Sequence, residues 1–423
     1  MQSIGWNDPL DVAAAINSTD MVLLYSGTQT SYSGRYSYLA YDLKEKVIAD
    51  NFAALAGKLS RDKNWYENAW FGYFGYDLKN SLERLPPEST RSYIRLPDLC
   101  MMRFGTILRF DHETKRVDGW SENAITAAFS TVHSAPLPTV KHLCSNMSNT
   151  HYLEKVANII DAIHNGDLYQ ANLTRKFFGE FTTPVHGLSL FHALCSASPA
   201  PYSAFIRMGN VSICSSSPEL FLRISSDGNI ETRPIKGTSP RMPDAAEDRK
   251  SFEKLAASEK DKAENLMITD LMRNDLAHTC IPGSITVKDM FSVTSHSNVH
   301  HMASTVRGVR QENKSTLDVI RNCFPPGSMT GAPKIKAMKL CSELEGMARG
   351  VYAGAIGFID GAGAAELSVV IRTIITNDKA FEFQAGGGIV ADSIPEAEMQ
   401  ETFDKVRGIM NTLNMPLEML KNL

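Results

Sequence analysis

A chain of 423 residues, 43% hydrophobic and 21% charged, holds enough apolar material for a large folded core. Its 43 basic and 47 acidic side chains leave a formal charge of -4, which gives no general electrostatic attraction to nucleic acid or an anionic membrane. No apolar run approaches the roughly 20 residues that span a bilayer, and the first residues lack a basic stretch followed by an apolar one, so the expectation is a cytoplasmic protein whose anionic ligands, if any, are held by a local cluster of donors or a metal ion.

The first third reads as short strands and turns. Residues 22–25 and 36–41 flank a Gly/Ser-rich turn, and 71–76 alternate aromatic residues with glycine in a period of two, a pattern of sheet packing. The clearest break in composition is the polar stretch 144–151, which divides a strand-rich part, 1–145, from 146–423. Beyond it Val156, Ile159, Ile160 and Ile163 fall at helical spacing and stop before Gly166, a glycine placed to end a helix. Strands follow at 204–206 and 220–224, a charged helix at 244–271, strands at 351–359 and 369–375, and a helix at 396–413. Strands and helices are mixed without the regular alternation of a doubly wound sheet, so the fold class expected is α+β with large, mostly antiparallel sheets.

Three constellations stand out. Asp261 with Glu264, and Glu398 with Glu401, are i, i+3 pairs, so each helix shows two carboxylates on one face. Oxygen donors without cysteine or clustered histidine suit Mg2+, although such pairs also occur on solvated helix faces. Gly386, Gly387 and Gly388 directly follow a strand and leave backbone N–H groups open to a carboxylate or phosphate, or simply mark a turn. Arg372 lies among Val369, Val370, Ile371 and Thr373, and a guanidinium in an apolar strand calls for an anionic partner. Lys236, in Pro234-Ile235-Lys236-Gly237-Thr238, is either a turn lysine or a nucleophile, and the second role requires a lowered pKa. Glu219, His300 and His301 are candidate proton-transfer groups. Seven scattered cysteines with no Cys-x-x-Cys pair argue against a disulfide framework and a zinc site.

Taken in order, these segments resemble the chorismate-utilising family that includes anthranilate, aminodeoxychorismate, isochorismate and salicylate synthases. The resemblance runs through Asp167-Leu168-Tyr169-Gln170, Ser217-Pro218-Glu219, Arg233 to Thr238, the segments around Glu264 and Asn274, Val299-His300-His301, Gly327 to Lys334, Ile371-Arg372-Thr373, Ala385 to Asp392, and Gln400 to Lys405. It is thinner before residue 150. The family implies two large, mostly antiparallel sheets packed together with helices outside, and an active site drawn largely from the C-terminal two thirds. Carried onto matching positions, it implies Glu264 and Glu401 as Mg2+ ligands, with Asp261 and Glu398 behind them or acting through water. It implies Gln170, Thr330, Tyr352, Arg372, Lys405 and the backbone of Gly386, Gly387 and Gly388 as the substrate-binding set. Glu219 is implied as the general acid for the departing ring hydroxyl, and His301 matches the family's active-site histidine.

The branch follows from two residues. Water-using relatives carry a lysine where Gln170 stands, and anthranilate synthases have a small residue at the position of Lys236. In the ammonia-using relatives with this lysine it attacks C2 of chorismate as the C4 hydroxyl leaves; ammonia then adds at C4 and expels it. The expected product is 4-amino-4-deoxychorismate, on the route to p-aminobenzoate and folate. Tyr352 is the residue expected of the anthranilate branch, where some aminodeoxychorismate synthases have tryptophan, and Glu366 stands where an aspartate is common; an anthranilate-forming alternative therefore stays open, beside a non-enzymatic one in which the chain only binds the glutaminase subunit. No cysteine stands in a Gly-x-Cys-x-Gly setting, so ammonia is expected from a separate glutamine amidotransferase subunit. Some relatives hold tryptophan in an N-terminal pocket, in the region of Ser26 and of Ser33 to Tyr36 here.

Overall fold

The computed structural model describes residues 2–4, 6–29, 32–59, 65–66, 68–86, 90–121, 136–296 and 299–423. Every pairing between its named strands is antiparallel. One run of neighbours goes from Val140–Ser145 through Gln170–Phe181, Ala380–Ile389, Thr373–Asn377, Val211–Ser217, Tyr202–Met208, Asp20–Tyr25 and Tyr36–Ala49 to Leu99–Asp111. A second starts from the same Leu99–Asp111 and passes through Trp70–Phe74, Ala355–Ile359, Ala365–Val369, Leu220–Ile224 and Asn229–Arg233 to Val299–Val309. The two expected sheets are therefore joined through one long strand into a continuous hydrogen-bonded network.

The layers follow from which side chains each strand buries. Val22, Ile206 and Ile213 of the first run meet Phe71, Tyr73 and Ile356 of the second in a core between the sheets. Trp70 and Phe74, on the opposite face of their strand, join Leu99, Phe221 and Leu367 beneath Ile268 and Met272 of the helix Glu259–Ala277. On the far face of the first run, Phe177, Phe205 and Phe383 pack under the helices Gly187–Ala197 and Pro395–Thr412. The aromatic run near residue 71 is thus buried on both faces, in keeping with alternate side chains pointing opposite ways.

Several boundaries differ from expectation: the strand expected at 36–41 runs on to Ala49, and Gly386, Gly387 and Gly388 lie within the strand Ala380–Ile389 instead of following one. Three others differ for a local reason. The charged helix expected at 244–271 is two helices, Ala245–Ala257 and Glu259–Ala277. Asp244 caps the first, and the Ser258 side chain caps the second by accepting from the Asp261 N–H at 3.3 Å. The strand expected from 351 begins at Ala355, after a turn. The strand expected at 369–375 is interrupted: Arg372 has φ +50 and lies between Ala365–Val369 and Thr373–Asn377. A side chain other than glycine at positive φ marks local strain. The helix Asn149–His164, capped by Ser148 and followed by Gly166 at φ +78, matches its expected limits closely. Among the described residues no helix is long and apolar enough to cross a membrane.

Candidate active site

Ile235–Pro240 pairs with Val299–Val309 at Ile235↔Ala303 and next at Thr238↔His301, so the register shifts between them and Lys236 and Gly237 sit in a bulge. A bulge re-aims a side chain without ending the ladder. Gly237 has φ +85, and a Cβ there would press on the Asp261 side chain at 2.9 Å. The bulge is thereby seated against the first turn of Glu259–Ala277, the helix that carries Asp261 and Glu264. Desolvation pushes the Lys236 ammonium below the ordinary lysine range and Lys405 adds to this, while Glu264, Glu219 and Glu401 oppose it.

The facing wall is the ladder between Gln170–Phe181 and Ala380–Ile389, in which Asn172 lies opposite Gly388. A Cβ on Gly388 would stand 3.0 Å from Lys236 Nζ and collide with Gln170 Nε2. The glycine is therefore what lets the lysine and the glutamine approach each other here. Gln170 is buried and its Oε1 has no hydrogen-bond partner, an arrangement that is costly unless a ligand or water completes it.

Glu219 lies between Val211–Ser217 and Leu220–Ile224 and is 5% exposed. Desolvation raises its carboxyl to about 7, against the opposing influence of Ser328, Lys236, the Ile235 N–H and Lys405. A carboxyl that holds its proton near neutrality can donate it. Ser328 lies in the Gly327 to Lys334 segment that carries the resemblance, but sequence reasoning assigned it no role of its own; its contact with Glu219 comes from the short 3-10 helix Gly327–Met329.

The carboxylates approach the glycine run from the helix Pro395–Thr412. Glu398 accepts from the Ser393 hydroxyl at 2.6 Å through Oε1, while its buried Oε2 has no partner. A Cβ on Gly387 would lie 3.0 Å from that oxygen and 3.9 Å from Glu401 Oε1. Glu401 pairs with Lys405 at 2.6 Å, and the same ammonium donates to the Gly386 carbonyl at 2.7 Å. Desolvation raises Glu264 and Glu398 above the usual carboxylate range, and in each case Glu401 adds to the rise; Lys405 holds Glu401 below it. Among the described residues no three His, Cys, Asp or Glu side chains are gathered closely enough to hold a metal ion. The donor chemistry nevertheless fits a hard divalent cation: the groups are all carboxylates, one buried oxygen has no partner, and their mutual repulsion is of the kind such an ion relieves.

The other candidates fall around this centre. Arg372 makes no hydrogen bond or ion pair through its guanidinium among the described residues; desolvation lowers it and Glu219 counters that. His301 is 2% exposed, both its ring nitrogens lack partners, and its ring centroid lies 4.8 Å from that of His296. Desolvation, with Arg372 next, drives it well below the usual histidine range, so it stands neutral. His300 is committed elsewhere, to Ser295 at 2.8 Å and Asp248 at 3.1 Å. Thr330 donates its hydroxyl to the Gly327 carbonyl at 3.1 Å, and its own carbonyl receives the Asn172 N–H at 2.8 Å. Tyr352 is buried in the turn before Ala355–Ile359, and desolvation raises its hydroxyl. In the N-terminal region, Ser26 and Tyr36 line a separate cavity with Tyr38, Tyr202 and Glu366; the Ser26 hydroxyl donates to the Tyr36 carbonyl at 2.7 Å.

A lysine shifted toward its neutral form, a glutamate that holds its proton, an arginine without a side-chain partner among the described residues and carboxylates beside a glycine run thus lie around one centre. The model for chorismate binding enzymes matches residues 14–411. The component 1 subunit of aminodeoxychorismate synthase from Salmonella typhimurium is 40% identical over 354 residues, 82% of this chain and 77% of that one. Anthranilate synthase component 1 of Thermus thermophilus is 35% identical over 360 residues, 81% of this chain and 77% of that one. Among solved structures, anthranilate synthase component I from Streptococcus pneumoniae superposes with a TM-score of 0.78 at 27% identity, covering 91% of this chain and 94% of that one. The menaquinone-specific isochorismate synthase of Escherichia coli shares the fold, with a TM-score of 0.79 at 18% identity over 97% and 94% of the two chains. The chain belongs to the chorismate binding enzyme family, and it is a chorismate-utilising enzyme.

Proposed function

We propose that this chain converts chorismate and ammonia to 4-amino-4-deoxychorismate, as the synthase subunit of a folate-route enzyme. The observation that carries this reading is Lys236, held in a bulge within reach of Gln170 and Gly388 and shifted toward its neutral form. Neutral Lys236 bonds through Nζ to C2 of the ring and gives up a proton. The C4–O bond breaks as the ring double bonds shift, and Glu219 protonates the leaving hydroxyl so that it departs as water. Ammonia bonds to C4 and gives up a proton, the double bonds shift back and the Lys236 nitrogen takes up a proton as it leaves C2 as the neutral amine, retaining the pyruvyl ether; the proton released when Lys236 bonded to C2 restores the acid form of Glu219. Arg372 and the N–H groups of the glycine run bind substrate carboxylates, with Tyr352, Thr330 and Lys405 completing the wall, and neutral His301 offers a hydrogen bond to the bound ligand.

Glu264 and Glu401, backed by Asp261 and Glu398, would hold Mg2+. When bound, that ion supplies positive charge to anchor a substrate carboxylate. Ammonia comes from a glutamine amidotransferase partner, a reading supported by the component 1 name of the relatives. The cavity at Ser26 and Tyr36 is the place for tryptophan if this chain binds it.

Mass spectrometry of the products from chorismate, Mg2+ and ammonium tests the reading. The expected product is 4-amino-4-deoxychorismate with no pyruvate, and Lys236→Ala should abolish or divert its formation. Anthranilate and pyruvate from the wild type would overturn the proposal in favour of the anthranilate-forming alternative, which Tyr352 and the Thermus relative keep in play.

A further inference from the structure

The Glu401–Lys405 contact is more than one turn of helix pairing with itself. Its ammonium is held at two points, 2.6 Å from Glu401 Oε1 and 2.7 Å from the Gly386 carbonyl, so it bridges the carboxylate helix to the glycine strand. Both ends of that bridge belong to the site: Gly387 follows Gly386 and faces Glu398 and Glu401. Glu401 is the carboxylate whose charge is felt at Glu264, Glu398 and Lys236. A divalent cation that takes Glu401 as a ligand must therefore share the carboxylate with an ammonium, either displacing it from Oε1 or binding against its charge at the other oxygen. Lys405 is also 41% exposed along its side chain and its long stem lets it turn toward an incoming anion.

We propose that Lys405 is an internal counter-cation that competes with a divalent metal ion for Glu401, and that a substrate carboxylate, by drawing Lys405 away, couples substrate binding to metal binding. This rests on the metal-carboxylate reading given above. The coupling is reciprocal: if chorismate tightens the metal, the metal tightens chorismate by the same factor.

The probe is Mn2+, followed by electron paramagnetic resonance of the free ion, titrated into the full chain alone and with chorismate in ammonium-free buffer. Lys405→Met should bind Mn2+ at least threefold more tightly than wild type when chorismate is absent. The factor by which chorismate tightens Mn2+ should fall in this variant, and Lys405→Arg should restore it. Lys260→Met serves as a control, because Lys260 lies 3.9 Å from Glu264 without touching the glycine strand: it should change the Mn2+ affinity and leave the chorismate factor unchanged. Equal or weaker Mn2+ binding by Lys405→Met, with wild-type binding intact, overturns the inference, as does an equal chorismate factor in the two proteins. Absence of Mn2+ binding by the wild type in either condition overturns the metal reading itself, and this inference with it.

Discussion

At the scale of single residues, the site works by setting protonation states against their solution values. Glu219 keeps its proton to about pH 7 in the folded chain, whereas an unfolded glutamate releases it near pH 4.3. Because the folded value is the higher one, the unfolded state is favoured as both lose their protons. This group's contribution to stability is therefore lost as pH rises from about 4 to about 7, by roughly 4 kcal/mol at most. Denaturant melts across that window should show Glu219→Gln losing less stability than wild type. As the acid form is the useful one, kcat/KM of the wild type should fall with one proton above about pH 7. Gly388→Ala tests the other wall: its new Cβ collides with Gln170 Nε2 and crowds Lys236 Nζ. A displacement of about 1 Å in a reacting group costs on the order of 100-fold, so steady-state rates should drop by about that much while the circular dichroism spectrum stays unchanged.

Elements present these residues, and the sequence revealed them unevenly. The stripe at Val156, Ile159 and Ile163 gave the helix Asn149–His164 because one buried face repeats at 3.6 residues. The helices Ala245–Ala257 and Glu259–Ala277 look like one in the sequence, since both are rich in charge and the only sign of their break is a serine. Arg372 looked like a strand residue because its neighbours are apolar; its positive φ depends on tertiary packing that no local pattern records. The bulge at Lys236 was equally silent, with Gly237 as its one trace. What could be read was residue chemistry and order, and what could not was which backbone irregularity aims each group. Ser258→Ala follows from this: loss of the cap on the helix that starts two residues before Asp261 should cost about 1 kcal/mol. Chemical denaturation measures that cost, and Mg2+ titration of activity should show a higher half-saturation point as the first turn loosens.

For the molecule as a whole, a buried polar knot ties the layers together. Arg349, 1% exposed, forks onto Glu345 at 2.7 and 2.9 Å and donates to the carbonyls of Met329 and Asn172, each at 2.7 Å. Glu345 in turn receives the Thr174 N–H at 2.9 Å. Breaking such a pair from one side leaves a buried charge unmatched, so Arg349→Met should destabilise by about 3–5 kcal/mol in thermal or denaturant unfolding. The continuous strand network has a further consequence, in the birth of the chain. Trp70–Phe74 has one neighbour in Leu99–Asp111, made soon after it, and the other in Ala355–Ile359. At ribosomal speeds of about 5–20 residues per second, the later partner emerges roughly 15–60 s after the earlier strand. For that interval an aromatic strand edge destined for the middle of the protein stands open to the cell, so the growing chain should depend on chaperones more than its finished stability suggests.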